Sequence, residues 1–254
     1  VTTERGTVKP VVSQRIAYGS VSMNYYNGVS KIESTVPFNN AMSQTSLTLT
    51  DQSALLTSVD ATERFISEDY DNRLVFRDTH YQNFIENQPS RNRVTAAYFE
   101  LKNRKEDYSG RFGRQSSSGA GVMGRFDGAA VGYGLTPGVR MNAVAGQLVD
   151  VGLGAKPVFY GASVDTGPLT LYAINQTVDG VADRRAVGSE LRYFEQGRTA
   201  YALLDYDTIY STVNIALLQG TIGGGSDTSY HFLLDHRKAP YISTKNALNG
   251  ASTT

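Results

Sequence analysis

Apolar and polar residues alternate with period two through most of this chain, and that pattern confines it to β structure. A strand sends successive side chains to opposite faces, so alternation makes one greasy face and one polar face. From 17 to 26, Ala17, Val21, Met23 and Tyr25 share one face, and Tyr18, Ser20, Ser22 and Asn24 the other. Leu74 and Phe76 oppose Arg73 and Arg77, and Ala97, Phe99 and Leu101 oppose Tyr98, Glu100 and Lys102. Leu191 and Tyr193 oppose Glu190 and Arg192. Ala202, Leu204 and Tyr206 oppose Asp205 and Asp207, and Phe232 and Leu234 oppose Asp235 and Arg237. In 55–66, Leu55, Val59, Ala61 and Phe65 oppose Ser58, Asp60, Thr62 and Arg64. A weak helical stripe (Leu55, Val59, Thr62, Ile66) competes there, and strand is the preferred reading.

Turn chemistry punctuates the alternation at Tyr26-Asn27-Gly28, Gln88-Pro89-Ser90, Ser116 to Gly119, Thr136-Pro137-Gly138, Asp165 to Pro168, Asp179-Gly180, Gln196-Gly197 and Gly223 to Asp227. These are the residues that close hairpins. They predict an all-β, antiparallel chain of about 12–14 strands in one domain, 1–254. With 25 Gly, many of them between 119 and 138, long helices are disfavoured there.

Composition removes several functions. There is no Cys, so disulfide scaffolds and thiolate metal sites are out. Lys plus Arg equal Asp plus Glu at 24 each, and a neutral chain lacks the positive field of a nucleic-acid binder. Of three His, His231 and His236 fall on opposite faces of one strand, so they do not chelate one ion. No nucleophile elbow, zinc-protease or P-loop pattern occurs, and the expectation is a non-enzyme with neither cofactor nor metal.

Two architectures fit alternating strands. A sandwich buries its greasy faces between two sheets, whereas a membrane barrel turns them to lipid and keeps a polar interior. The mid-strand charges favour the barrel, because Arg and carboxylates can brace a polar lumen by bidentate pairs. The 16 Tyr suit the aromatic girdles at the two bilayer interfaces, and the absence of Trp argues mildly the other way.

The phrase Tyr108-Ser-Gly-Arg-Phe-Gly-Arg-Gln115, followed by Gly121-Val-Met-Gly-Arg-Phe-Asp-Gly128, resembles a strand of Gram-negative porin-like proteins feeding a constriction-side loop. Asp183-Arg-Arg-Ala-Val-Gly-Ser-Glu-Leu-Arg-Tyr193, Leu203-Leu-Asp-Tyr-Asp207, Asp235-His-Arg-Lys-Ala-Pro240 and Asn246-Ala-Leu248 extend the likeness. Together they resemble the C-terminal barrel attached to periplasmic tetratricopeptide repeats in some outer-membrane proteins. Such barrels end on an aromatic residue, and this chain stops at Ala251-Ser-Thr-Thr254. The resemblance therefore implies a C-terminally truncated part of a transmembrane barrel of about 16 strands.

The resemblance further implies a bacterial outer-membrane channel or export conduit for a solute or polysaccharide. Its partners would be the lipid bilayer with its lipopolysaccharide, and periplasmic repeats or a secretion or assembly factor. A barrel that only anchors a periplasmic or surface complex, and a soluble β-sandwich binding module, are the alternatives. The expected lumen residues are Arg73, Arg77, Arg111, Arg125, Asp127, Glu190, Arg192, Asp205, Asp207, Asp235 and Arg237. Arg192 is expected to meet Asp205 or Asp207 across the Gln196-Gly197 hairpin. Arg111 and Arg125 are expected on one wall, either favouring anions or braced by Asp127 and other acids.

Overall fold

The computed structural model describes residues 13–38, 41–117, 119, 121–149, 157–224, 228–238 and 243, with side chains for all of these except 36–38 and 41–43. Thirteen strands, paired in chain order, form one antiparallel meander with no helix among the described residues. They are β1 (Gln14–Phe38), β2 (Ala41–Ile66), β3 (Asp71–Asn83), β4 (Arg91–Asn103), β5 (Tyr108–Ser116), β6 (Arg125–Thr136), β7 (Val139–Leu148), β8 (Val158–Thr166), β9 (Leu169–Val178), β10 (Val181–Glu195), β11 (Arg198–Asp207), β12 (Thr212–Gly223) and β13 (Ser229–Arg237). No pairing of β1 with β13 closes the sheet among the described residues.

The helical alternative over 51–67 is not realised, since that stretch lies within the 26-residue β2. Asn27-Gly28 is not a turn but the middle of the 25-residue β1. Alternation continues on both sides of it, and Gly28 lies against Gln52 of β2, so the strand runs straight through. By contrast Asp179-Gly180 closes β9 onto β10, with φ of 50° and 80° and Val178 facing Val181. Two consecutive positive φ values twist a two-residue hairpin with the hand of its strands, which is why Asn or Asp followed by Gly is favoured. Asn246–Leu248 and Ala251–Thr254 lie outside the described residues.

Contacts divide the chain into two compact units. One comprises 16–63 and 74–97, the long parts of β1 to β4. In it Phe84 accompanies Tyr25, with ring centroids 6.3 Å apart, and Arg77 donates to Asp60 at 2.6 Å. The other comprises 1–15, 64–73 and 98–254, and so contains all of β5 to β13.

In this larger unit the two sheet faces differ sharply. One carries Leu135, Leu171, Val187, Leu204, Leu234 and several Tyr, all accessible. The other carries most of the ionic side chains together with an apolar cluster of Phe126, Leu148, Phe159, Ile174 and Ala186. Phe126 and Phe159 meet edge to face at 5.1 Å, the arrangement their ring quadrupoles prefer. Val122, from the segment joining β5 to β6, packs on this cluster, so that segment lies on the charged face.

Candidate functional site

Register places most of the expected charges on one face. Gly188 of β10 pairs with both Tyr172 of β9 and Asp205 of β11, so these three residues lie in one row. A Cβ on Gly188 would collide with the Tyr172 ring. The tyrosine therefore lies across the glycine and donates its hydroxyl to Asp205 Oδ2 at 2.8 Å. Arg184 Nη2 donates to the same oxygen at 2.5 Å, and Nη1 donates to the Gly121 carbonyl at 2.8 Å. Arg184 and Asp205 are 1% and 0% accessible. Burying such ions is tolerable only when charge and hydrogen bonds are both matched.

Gly121 completes the arrangement. Its φ is +74°, and a Cβ there would run into the Tyr172 ring. Only glycine allows both that backbone conformation and the close approach. Thus Tyr172, Arg184 and Asp205 pin the connection between β5 and β6 to the charged face.

A β-bulge lies between Ala182 and Arg184. The extra residue turns Asp183 to the same face as Arg184, where it accepts from Gln176 Nε2 at 2.6 Å. Arg184 itself has the parity of Glu190 and Arg192, so alternation could have found it. Gly188, four residues on, is the place where the Tyr172 ring crosses the strand.

The ladder continues elsewhere in this unit. Glu100 accepts from Arg73 Nε at 2.8 Å and from Arg111 Nη2 at 2.7 Å, tying β3, β4 and β5 together. Arg111 also lies 4.9 Å over the Tyr98 ring. Arg64 grips Asp71 with two bonds of 2.6 Å, and Arg104 adds a third at 2.9 Å. Arg192 pairs with Glu190 at 2.5 Å, and Arg237 with Asp235 at 2.8 Å.

Several placements differ from the sequence reading. Asp205 is held by Arg184, while Arg192 faces Tyr201 in register and meets Glu190 on its own strand. Asp207 is buried, but its Oδ1 accepts the backbone N–H groups of Ile209 and Tyr210, so it shapes the β11–β12 turn. Arg111 is opposite Ala130 and Arg114 opposite Asp127, so Asp127 and Arg125 have the parity of the apolar face. There Arg114 holds Asp127 by two bonds of 2.7 Å. Arg111 and Arg125 therefore do not share a wall, since strand alternation separates them.

Comparison with protein-family models and with curated protein sequences finds no match. Of the porin-like resemblance, the structure carries the antiparallel all-β architecture.

A cavity of about 430 Å³ opens beside the pinned connection. Its ionic and amide lining includes Glu100, Arg111, Gln115, Asn142, Asp165, Glu190 and Arg192, and Ser117 and Gly119 of the connection border it. Each of its carboxylates already has a donor within the protein. Glu100 and Glu190 have the arginines above, and Asp165 accepts from Asn142 Nδ2 and Thr170 Oγ1, each at 2.8 Å. No metal-holding cluster of His, Asp or Glu occurs among the described residues.

Proposed function

We propose that this chain supplies the strands of a bacterial outer-membrane β-barrel that acts as a channel or export conduit. The observation that carries this reading is the inverted polarity of the larger unit. Arg184 and Asp205 are sealed from solvent, while Tyr160 and Leu204 are 63% and 46% accessible. Water drives the opposite distribution, and lipid around a polar lumen favours this one. A sandwich would need a second sheet to cover the apolar face, and the described strands form a single sheet.

The apolar face has the layout a bilayer asks for. On β6 it runs uncharged from Ala129 to Leu135, and on β10 from Val187 to Tyr193. Counted from Asp127 or Arg185, that is roughly 26 Å of strand, close to the apolar band of membrane barrels. Tyr133, Tyr193 and Tyr230 stand near one margin, and Tyr160 and Tyr206 near the other. The first margin carries the tight turns Pro137-Gly138, Gly167-Pro168 and Gln196-Gly197; the second carries the tight turn Asp179-Gly180 together with the two longest intervals between strands in this unit, from Ser116 to Arg125 and from Leu148 to Val158. Outer-membrane barrels put short turns on the periplasmic side and long loops outside. Lipid and lipopolysaccharide would then cover the apolar band, and periplasmic tetratricopeptide repeats or a secretion factor would meet the tight-turn margin.

The pinned connection supports a second reading, a barrel with a closed lumen that anchors a complex. One experiment separates the readings. The protein should need detergent to remain dispersed, and reconstitution into a planar bilayer should give discrete conductance steps if it is a conduit. Detergent dependence without conductance selects the anchor, and a stable detergent-free monomer sinks both.

A further inference from the structure

We infer that the cavity beside the pinned connection is a binding subsite for a neutral polyhydroxylated ligand, one or two sugar rings in size. This deepens the conduit reading and rests on it for the route by which the ligand arrives. A volume of about 430 Å³ is in the ordinary range for a small-molecule site.

The lining decides the ligand class. Its ions are matched in pairs: Glu100 with Arg111 and Arg73, and Glu190 with Arg192. Asp165 is fastened by Asn142 and Thr170. A charged ligand would have to compete with one of these pairs for its partner, and displacing that partner leaves a charge unmatched. A hydroxyl does not face that penalty. It donates and accepts at once, so it can add to a carboxylate lone pair or an amide N–H that the existing pairs leave open.

The pairs also fix orientation. Asn142 Nδ2 is held between Ser163 Oγ at 3.2 Å and Asp165 Oδ2 at 2.8 Å. Asn142, Asp165, Thr170 and Arg192 all border the cavity and are partly or fully accessible. Planar amide, carboxylate and guanidinium groups held in place suit adjacent ring hydroxyls, because each offers two polar atoms side by side. Val144 and Pro168 add apolar surface for the C–H faces of a sugar ring. Such a preorganised site loses little entropy on binding.

The test is calorimetric titration of the full chain in detergent micelles with maltose and with digalacturonate, its anionic counterpart in size. Saturable maltose binding is expected, with digalacturonate at least about tenfold weaker, the scale of one net hydrogen bond or more. Asn142→Ala and Thr170→Val should each weaken maltose binding about tenfold while leaving the β circular-dichroism signal intact. Thr170→Val is nearly isosteric, so it keeps the test usable where Asn142→Ala does not fold. Absent maltose binding by folded protein, tighter digalacturonate binding, or affinity unchanged in both folded variants would overturn the subsite. Bilayer conductance separates the two levels. Conductance without maltose binding removes the subsite and keeps the conduit, whereas maltose binding without conductance keeps the subsite within a closed barrel.

Discussion

Tyr172 reaches Asp205 two strands away, at 2.8 Å, by lying across Gly188 of the strand between them. A hydroxyl, a glycine and a carboxylate on three successive strands thus act as one brace. Arg184 supplies the charge that makes the carboxylate tolerable there and holds the Gly121 carbonyl as well. Removing only the hydroxyl, by Tyr172→Phe, should destabilise the protein by about 1.5–3 kcal/mol, the range for a hydrogen bond to a charged group. Arg184→Met should cost more, about 3–5 kcal/mol, because it strands a buried carboxylate. Urea unfolding in micelles gives both values, and equal effects would show that Arg184 contributes no more than the hydroxyl.

Leu203 and Leu204 are neighbours on β11 with opposite orientations. If the apolar face meets lipid, Leu204→Arg should lose about 2–4 kcal/mol of stability in bilayers. Leu203→Arg, turned toward the ladder, should lose less. A water-facing sheet reverses the order, because an exposed Leu204→Arg change would then stay within about 0.5 kcal/mol. Folding efficiency into lipid vesicles measures the pair.

If the chain forms a conduit, Gly121 and Val122, held on the charged face, should limit conduction. Gly121→Val meets the Tyr172 ring and forces a side chain onto φ +74°, which no β-branched residue adopts without strain. The expected result is a larger single-channel conductance from a displaced connection. Identical step sizes in wild type and variant would place the conducting path elsewhere.

Arg111 and Arg125 should contribute unequally to ion selectivity. If the charged face lines a lumen, Arg111→Gln, which leaves Glu100 with Arg73 as its remaining described arginine partner, should lower the potential there and shift the reversal potential in a salt gradient toward cations. Arg125→Gln, on the other face, should leave it unmoved. The Arg111 shift should shrink from 0.1 to 1 M salt, as the Debye length falls from about 10 to about 3 Å. Equal shifts for both would contradict the register of β5 and β6.

Much of this was legible in the chain. The opposition of Arg73 and Arg77 to Leu74 and Phe76, or of Asp205 and Asp207 to Leu204 and Tyr206, survives into the folded sheet without change. Asp179-Gly180 and Gln196-Gly197 close the hairpins their chemistry suggests. Asp127 reads as a lumen residue, yet the register pairs it with Arg114 on the apolar face, and register is not written in either residue. Arg184 shares the parity of Glu190 and Arg192, but the sequence does not reveal that it meets Asp205.

Alternation of side chains along a strand is local stereochemistry, so the sequence by itself determined strands, faces and most turns. Partnership between charges depends on register, on bulges and on what lies two strands away. Only the tertiary structure could therefore give Asp205 to Arg184 rather than Arg192, and Glu100 to both Arg73 and Arg111. It also decided that Gly121 would lie on Tyr172, since close approach across a sheet is fixed by the volume a neighbouring strand leaves open.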